Sequence, residues 1–332
     1  MTSDRDSSFA GGARRAYRQV RGLQEIGVLV ALVALGTALT LSTNSFLTPL
    51  NLMQVARQAS YYGIMAVGMV FVISMGDIDL SVGSILTLTN VVTALALRAH
   101  MPVAVALLIG IAAGAVCGFL NGLLAVFLRI PMIIVTLGTL SVYRGVALML
   151  CDASPISQFA KDTPFFTVGG GTLLGIPTSV VLMLVIGVVG WLAITRSVYG
   201  RRIEAMGSNP ITARLAGIPL DRYRVAVMTL NGVVAALAGI IALAFLQSAD
   251  PSTGTGFELW VIASVIIGGT ALSGGHGSVP GAILGALIIA VIRNGLVLIG
   301  ASTYAGTAVT GAVIILAVAI DALVKRRAQR RI

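Results

Sequence analysis

The chain has 332 residues, of which 57% are hydrophobic and only 10% charged, with a formal charge of +10. A soluble domain carries roughly 25% charged residues. The 22 basic and 12 acidic side chains here cannot cover a soluble surface, and so apolar a chain is not a disordered one. What remains is a polytopic membrane protein.

The charge is clustered. Residues 1–25 hold five basic and three acidic residues, 195–224 hold six and two, and 321–332 hold five and one. The rest of the chain balances six against six. Basic residues beside apolar spans stay on the cytoplasmic side. Both termini and the 195–224 loop are therefore expected there, which requires an even number of spans. Because these arginines flank apolar runs, the basic balance reads as topology and not as a nucleic-acid surface.

The first 25 residues form a Ser-, Gly- and Arg-rich tail. The apolar run from Ile26 to about Leu41 lacks a small-x-small cleavage site and reads as a retained first span. A span needs about 20 apolar residues. The pattern predicts ten, at 26–42, 61–75, 82–97, 103–127, 132–150, 173–194, 225–247, 257–272, 281–299 and 304–324. The expected fold is thus an all-α transmembrane bundle over 26–324 with a cytoplasmic loop at 195–224 and a basic tail at 325–332. Arg129 falls in a tight cytoplasmic turn. Residues 151–171 and 248–256 fall outside, with Asp152, Asp162 and Asp250 against Lys161, and Arg98 also falls outside against the charge rule. An eight-span alternative fuses 61–97 and needs a break at Asp77–Ser81 buried in protein, because irregular backbone does not face lipid.

Gly114, Gly118 and Gly122 recur every four residues, as do Gly281 and Gly285, a spacing that lets helices approach closely. The segment from Leu80 to Leu86 resembles that from Gly277 to Leu284. Each opens a helix after a Gly-containing break, compatible with an internal repeat of the kind transporters use or with chance. Cys117 and Cys151 give neither a disulfide framework nor a zinc site.

Three features can carry chemistry. Ser74 to Gly83 places Asp77 and Asp79 between two apolar runs. Intramembrane carboxylates are costly and usually functional, and Asp79 or Ser81 also suits an N-cap. The loop from Tyr199 to Pro219 contains a short helix with Asn209 as N-cap, Pro210 at the first helical position and Gly217 as a left-handed stop. Ile211, Leu215 and Ile218 share a side with Arg214 nearby. This helix fits either a groove on a soluble partner or the lipid headgroups. The third feature is a set of in-span polar residues, Asn90, Asn121, Asn231, Gln247, Arg293 and Asn294. Their amides can bind a polyhydroxyl solute or bond helices together. Arg144 and Arg293 either find partners or reach an interface. His100 and His276 sit in loops without metal-ligand spacing. No phosphate-cradling loop, nucleophile elbow or zinc-protease motif is present, so no catalytic residue or metal ligand is assigned.

Taken together, these segments resemble a known family. Gly76-Asp77-Ile78-Asp79-Leu80-Ser81-Val82-Gly83 is similar to the "GIDLSVG" signature of permeases of ribose/xylose/arabinose/galactoside-type ABC importers. Ile134 to Leu140 followed by Tyr143-Arg144-Gly145 also resembles the family. Ala205-Met206-Gly207-Ser208-Asn209 with Ala213 to Ile218 is similar to its "AIGGN…AARLAGI". Thr253 to Leu259 and Gly268 to Gly275 match two more segments. The likeness runs in family order from about 50 to 320. It departs at Asp77, where the family usually has Gly.

The resemblance implies an inner-membrane, multi-pass permease that imports a monosaccharide or related polyhydroxyl solute by alternating access. It implies two cytoplasmic ATPase subunits carrying ATP and Mg, with no cofactor on this chain. It also implies an external sugar-binding protein and a second permease, copy or paralogue. Residues 203–217 become a coupling helix with Glu204, Ala205, Gly207, Asn209 and Arg214 on the ATPase. Asp77, Asp79, Ser81 and Gly83 form the signature turn, and Asn90, Asn121, Asn231 and Asn294 are candidates for the solute path. The runner-up is an ion-coupled sugar carrier without an ATPase, with only Asp77 and Asp79 available as its relay. A structural or enzymatic membrane subunit has little support.

Overall fold

A computed structural model of the chain describes residues 27–159 and 163–302, with scattered helical positions between 306 and 319. The expected tails at 1–25 and 325–332, Lys161 and Asp162, and most of the tenth expected span lie outside the described residues. The architecture is all-α. The helices are α1 (Gly27–Ser42), α2 (Pro49–Ser74), α3 (Val82–Arg98), α4 (Val103–Leu128) and α5 (Met132–Leu150). After a π-turn and a small hairpin, β1 (Thr172–Leu173) with β2 (Ile176–Pro177), come α6 (Thr178–Arg196), α7 (Val198–Ser208) and α8 (Pro210–Leu215). The chain continues through α9 (Leu220–Leu246), α10 (Phe257–Ile267) and α11 (Val279–Leu298).

Proline sets many helix starts. Pro102, Pro131, Pro177 and Pro219 occupy N-cap positions, and α2, α8 and α11 carry proline in the first turn, where a missing N–H costs no hydrogen bond. Among the described residues, α4, α5, α6, α9 and α11 are long and apolar enough to cross a membrane. Their outward faces are apolar: Leu108, Phe127, Leu137 and Val189 are exposed where a soluble protein would place charge. The multi-pass membrane class follows from that surface.

The core is built around α3 and α9. Almost every residue of α3 up to Ala96 is buried. Helix α9 lies between α2 and α3 and packs most extensively on α4. Gly68 of α2 and Asp79 ahead of α3 both meet Asn231 of α9. Further along, Arg57 of α2 stacks over Phe245, and Asn90 of α3 reaches Gly239. Helix α9 therefore runs parallel to α3 and antiparallel to α2 and α4. The glycine ladders do what their spacing predicts. A Cβ on Gly114, Gly118 or Gly122 would strike backbone or side chains of α9, and one on Gly281 or Gly285 would strike Gly268 or Ser264.

Several boundaries differ from the sequence pattern. Helix α2 begins at Pro49, twelve residues before the expected 61, because Gln54, Arg57 and Gln58 mask its hydropathy. The expected start at 173 instead forms the hairpin, whose Leu174-Gly175 turn takes φ of 52° and 81°. Helix α10 has 11 residues and stops at Ile267, well short of 272. At 1.5 Å per residue it is about 16 Å long, roughly half a bilayer core.

Candidate functional site

The α2–α3 connection enters the bundle. Asp79 and Ser81 are fully buried. Asp79 Oδ1 accepts the Ser81 backbone N–H at 2.7 Å and the Ser81 hydroxyl at 2.6 Å. Asp79 Oδ2 accepts the Asn231 amide at 2.7 Å. The Ser81 hydroxyl in turn accepts the Asn121 amide at 2.8 Å. The Tyr143 hydroxyl lies 2.9 Å from both Asn121 Oδ1 and the Cys117 carbonyl. The result is a polar seam, Tyr143–Asn121–Ser81–Asp79–Asn231, joining α5, α4, the start of α3 and α9. Ser81 stands at the N-cap position of α3 but makes no side-chain cap. Its hydroxyl is spent on Asp79, and of the two cap candidates it is Asp79, two residues earlier, that takes a backbone N–H, that of Ser81.

Of the four asparagines proposed for the solute path, the seam absorbs Asn121 and Asn231. Asn90 donates to the Gly239 carbonyl at 3.3 Å. Asn294 exchanges two amide hydrogen bonds with Asn51, at 2.7 and 3.0 Å, tying α11 to α2. Asn90 Oδ1 and Asn231 Oδ1 are buried with no hydrogen-bond partner among the described residues. Arg293 sits over Trp260 at 4.8 Å and donates to the Tyr62 hydroxyl.

The departing residue Asp77 is paired. Arg224, in the first turns of α9, meets it at 3.2 Å. Burial pushes the Asp77 carboxyl above the usual carboxylate range, and the Arg224 charge and hydrogen bond pull against it. The unusual acid therefore has its own counter-ion.

A feature that extends from Gly83 to residues outside the proposed site lies at the start of α10. Gly83 packs against Gly254 and Glu258, and the Thr87 hydroxyl donates to the Thr253 carbonyl. Asn231 lies 15 residues, about 22 Å, before the end of α9. Gly83 is only about one turn beyond Asp79, which bonds Asn231. The chain after α9 must therefore descend roughly 15 Å back into the bundle before α10 begins. The start of α10 meets the start of α3 at that depth. Arg144 donates to the Thr255 hydroxyl, and Glu258 Oε2 is buried against Gly83. The only hint in the sequence is one acid, Glu258, opening an apolar run.

The predicted helix after Asn209 is present. The Asn209 side chain accepts the Thr212 N–H at 3.0 Å, and Gly217 takes φ of 79°. Ile211 and Leu215 are 73% and 84% exposed, so they bury nothing within this chain. Arg214 is exposed beside them, and Ala205 is half-buried on α7. Glu204 faces His276 at 3.5 Å. Gly207 is seated on Ser74 at the end of α2 and on Gly275, and a Cβ there would strike both backbones. The neighbouring backbone N–H of Gly275 donates to Ser74 O at 2.9 Å. The segments leading into α3, α8 and α11 are thus locked together at one end of the bundle. The compared starts of α3 and α11 differ in detail: Ser278, unlike Ser81, caps its helix by accepting the Gly281 N–H at 3.2 Å.

An apolar helical bundle with a buried polar seam and a half-helix that begins at mid-depth has the build of a polytopic membrane transport protein. The chain belongs to the family described as branched-chain amino acid transport system / permease component, whose pattern matches residues 51–318. It is 38% identical over 299 residues to the ribose import permease protein RbsC of Bacillus subtilis (strain 168), covering 90% of this chain and 93% of that one. It is 38% identical over 288 residues to the D-allose transport system permease protein AlsC of Escherichia coli (strain K12), covering 86% and 88%. It is 33% identical over 305 residues to the L-arabinose ABC transporter permease protein AraH of Azospirillum brasilense, covering 92% and 89%. No solved structure matches the chain. The chain is therefore a transport permease subunit.

Proposed function

We propose that this chain is the membrane subunit of an ATP-driven importer of a monosaccharide or similar polyhydroxyl solute, placed in the inner membrane with both termini cytoplasmic. In this reading ten passages cross the bilayer, the descending segment after α9 and α10 together making one. The sugar class is supported by the ribose, allose and arabinose permeases that the chain resembles. ATP and Mg reside on separate ATPase subunits, an external binding protein delivers the solute, and a second permease completes the path.

The observation that carries the reading is the α7–α8 unit. An isolated protein gains nothing by exposing Ile211 and Leu215 on a capped helix, whereas a docking helix needs that face. Asn209 fixes where this helix starts, and Arg214 and Ala205 flank the docking face. Gly207 and Glu204 transmit from it, through Ser74, Gly275 and His276, to α2 and the segment preceding α11. Movement of the ATPases is thereby passed to helices that bracket the signature turn of Asp77, Asp79, Ser81 and Gly83, and the bundle rocks between its two openings.

The test is Ile211→Asp with Leu215→Asp, assayed by ATPase co-purification and by uptake in reconstituted vesicles. The expected result is loss of both, with unchanged size-exclusion behaviour. Normal co-purification would remove the docking role.

A further inference from the structure

We propose that a cleft at the end of the bundle carrying α7 and α8 binds an anionic phospholipid, headgroup first. The cleft is a cavity of about 610 Å³ between the α4–α5 turn and the start of α9. Its polar lining includes Arg129, Arg214, Arg224 and Asp221. Arg129 is thrown outward by the left-handed end of α4, with φ of 56°. Among the described residues neither Arg129 nor Arg214 has an ion-pair or hydrogen-bond partner. Arg224 is engaged by Asp77, and Asp221 is the acidic residue of the lining.

A second cavity of about 380 Å³ adjoins the first and shares Val126 and Asp221 with it. It is a trough between α4 and α9 floored by Val126, Val225 and Ala226, with Arg222 at its rim. A basic cleft that continues into an apolar trough, at the end of helices with lipid-facing sides, has the two chemistries of a phospholipid in the right order. A free phosphate would use only the first. A soluble acidic protein surface would leave the trough empty. Four arginines against Asp221 and the already paired Asp77 leave a positive excess that favours a phosphate diester over a neutral headgroup. The inference does not depend on which solute the chain transports.

The test uses the full chain in nanodiscs of equal phosphatidylglycerol and phosphatidylcholine, then transfer to detergent and mass-spectrometric counting of retained lipid. The wild type retains phosphatidylglycerol preferentially. Arg129→Gln lowers that retention about fivefold, and adding Arg214→Gln lowers it again, at about 1 kcal/mol per arginine near an anionic surface. Ala226→Trp, at an exposed position in the trough, lowers retention without removing a charge. Arg201→Gln, exposed on α7 away from the cleft, leaves it unchanged.

Equal retention by the wild type and Arg129→Gln overturns the proposal. So does displacement of the lipid by glycerol 3-phosphate, which would mark a simple phosphate site. Loss of a co-purifying ATPase with lipid retention intact would assign the cleft to a protein partner instead. Should the double variant fail to fold, Arg129→Gln and Ala226→Trp, judged singly, decide the matter.

Discussion

Asp79 is the residue on which the interior depends. Three hydrogen bonds converge on its carboxyl, and all three donors belong to Ser81 and Asn231, which are themselves fully buried. Asp79→Leu removes the acceptors and leaves the Asn231 amide and the Ser81 N–H unpaired. Each buried donor left unsatisfied costs about 1–3 kcal/mol. Asp79→Asn keeps the shape and an acceptor oxygen and costs less. Thermal unfolding in detergent should rank the variants wild type, Asn, Leu. Equal melting of all three would mean the seam contributes nothing to stability. Asp77 is a different case despite lying two residues away. Its partner Arg224 is partly exposed, so their pair contributes at most about 1 kcal/mol.

At the scale of elements, the contact between α4 and α9 is set by absent side chains. Gly118 faces the Met228 carbonyl with no room for a Cβ, whereas Gly138 on α5 has open space. Gly118→Leu should prevent recovery of monodisperse protein. Gly138→Leu, on an exposed apolar face, should leave yield and melting temperature unchanged. The glycine ladders were legible in the sequence because a four-residue repeat directly encodes a helix face. The short helix after Asn209 was legible because its cap and stop are local chemistry. The descent into the bundle before α10 was not. Nothing between Gln247 and Gly256 states its depth, which depends on Gly83 and Thr87, more than 160 positions earlier. The partner of Asp77 was hidden for the same reason. Arg224 reads locally as one more flanking charge, and only the packing of α9 between α2 and α3 brings it to the turn.

For the whole molecule, the orientation ties the parts together. Cys117 and Cys151 are buried, so a single engineered thiol can be followed without removing them. Ser208→Cys at the end of α7 should react with an impermeant maleimide only in inside-out vesicles. Leu174→Cys, 96% exposed at the hairpin tip, should react only in intact spheroplasts. The reverse pattern would place α8 out of reach of any cytoplasmic ATPase.

The bond from Asp79 to Asn231 spans 152 positions of sequence. At about 5–20 residues per second, a ribosome makes the amide roughly 8–30 s after the carboxylate. Throughout that interval Asp79 has only Ser81 of its own turn as donor, and its second oxygen lacks the Asn231 amide. An acid with one oxygen unsatisfied is costly at membrane depth, so the newborn hairpin is expected to settle fully only once α9 emerges. Biogenesis of this permease should accordingly be most fragile when synthesis pauses between α3 and α9.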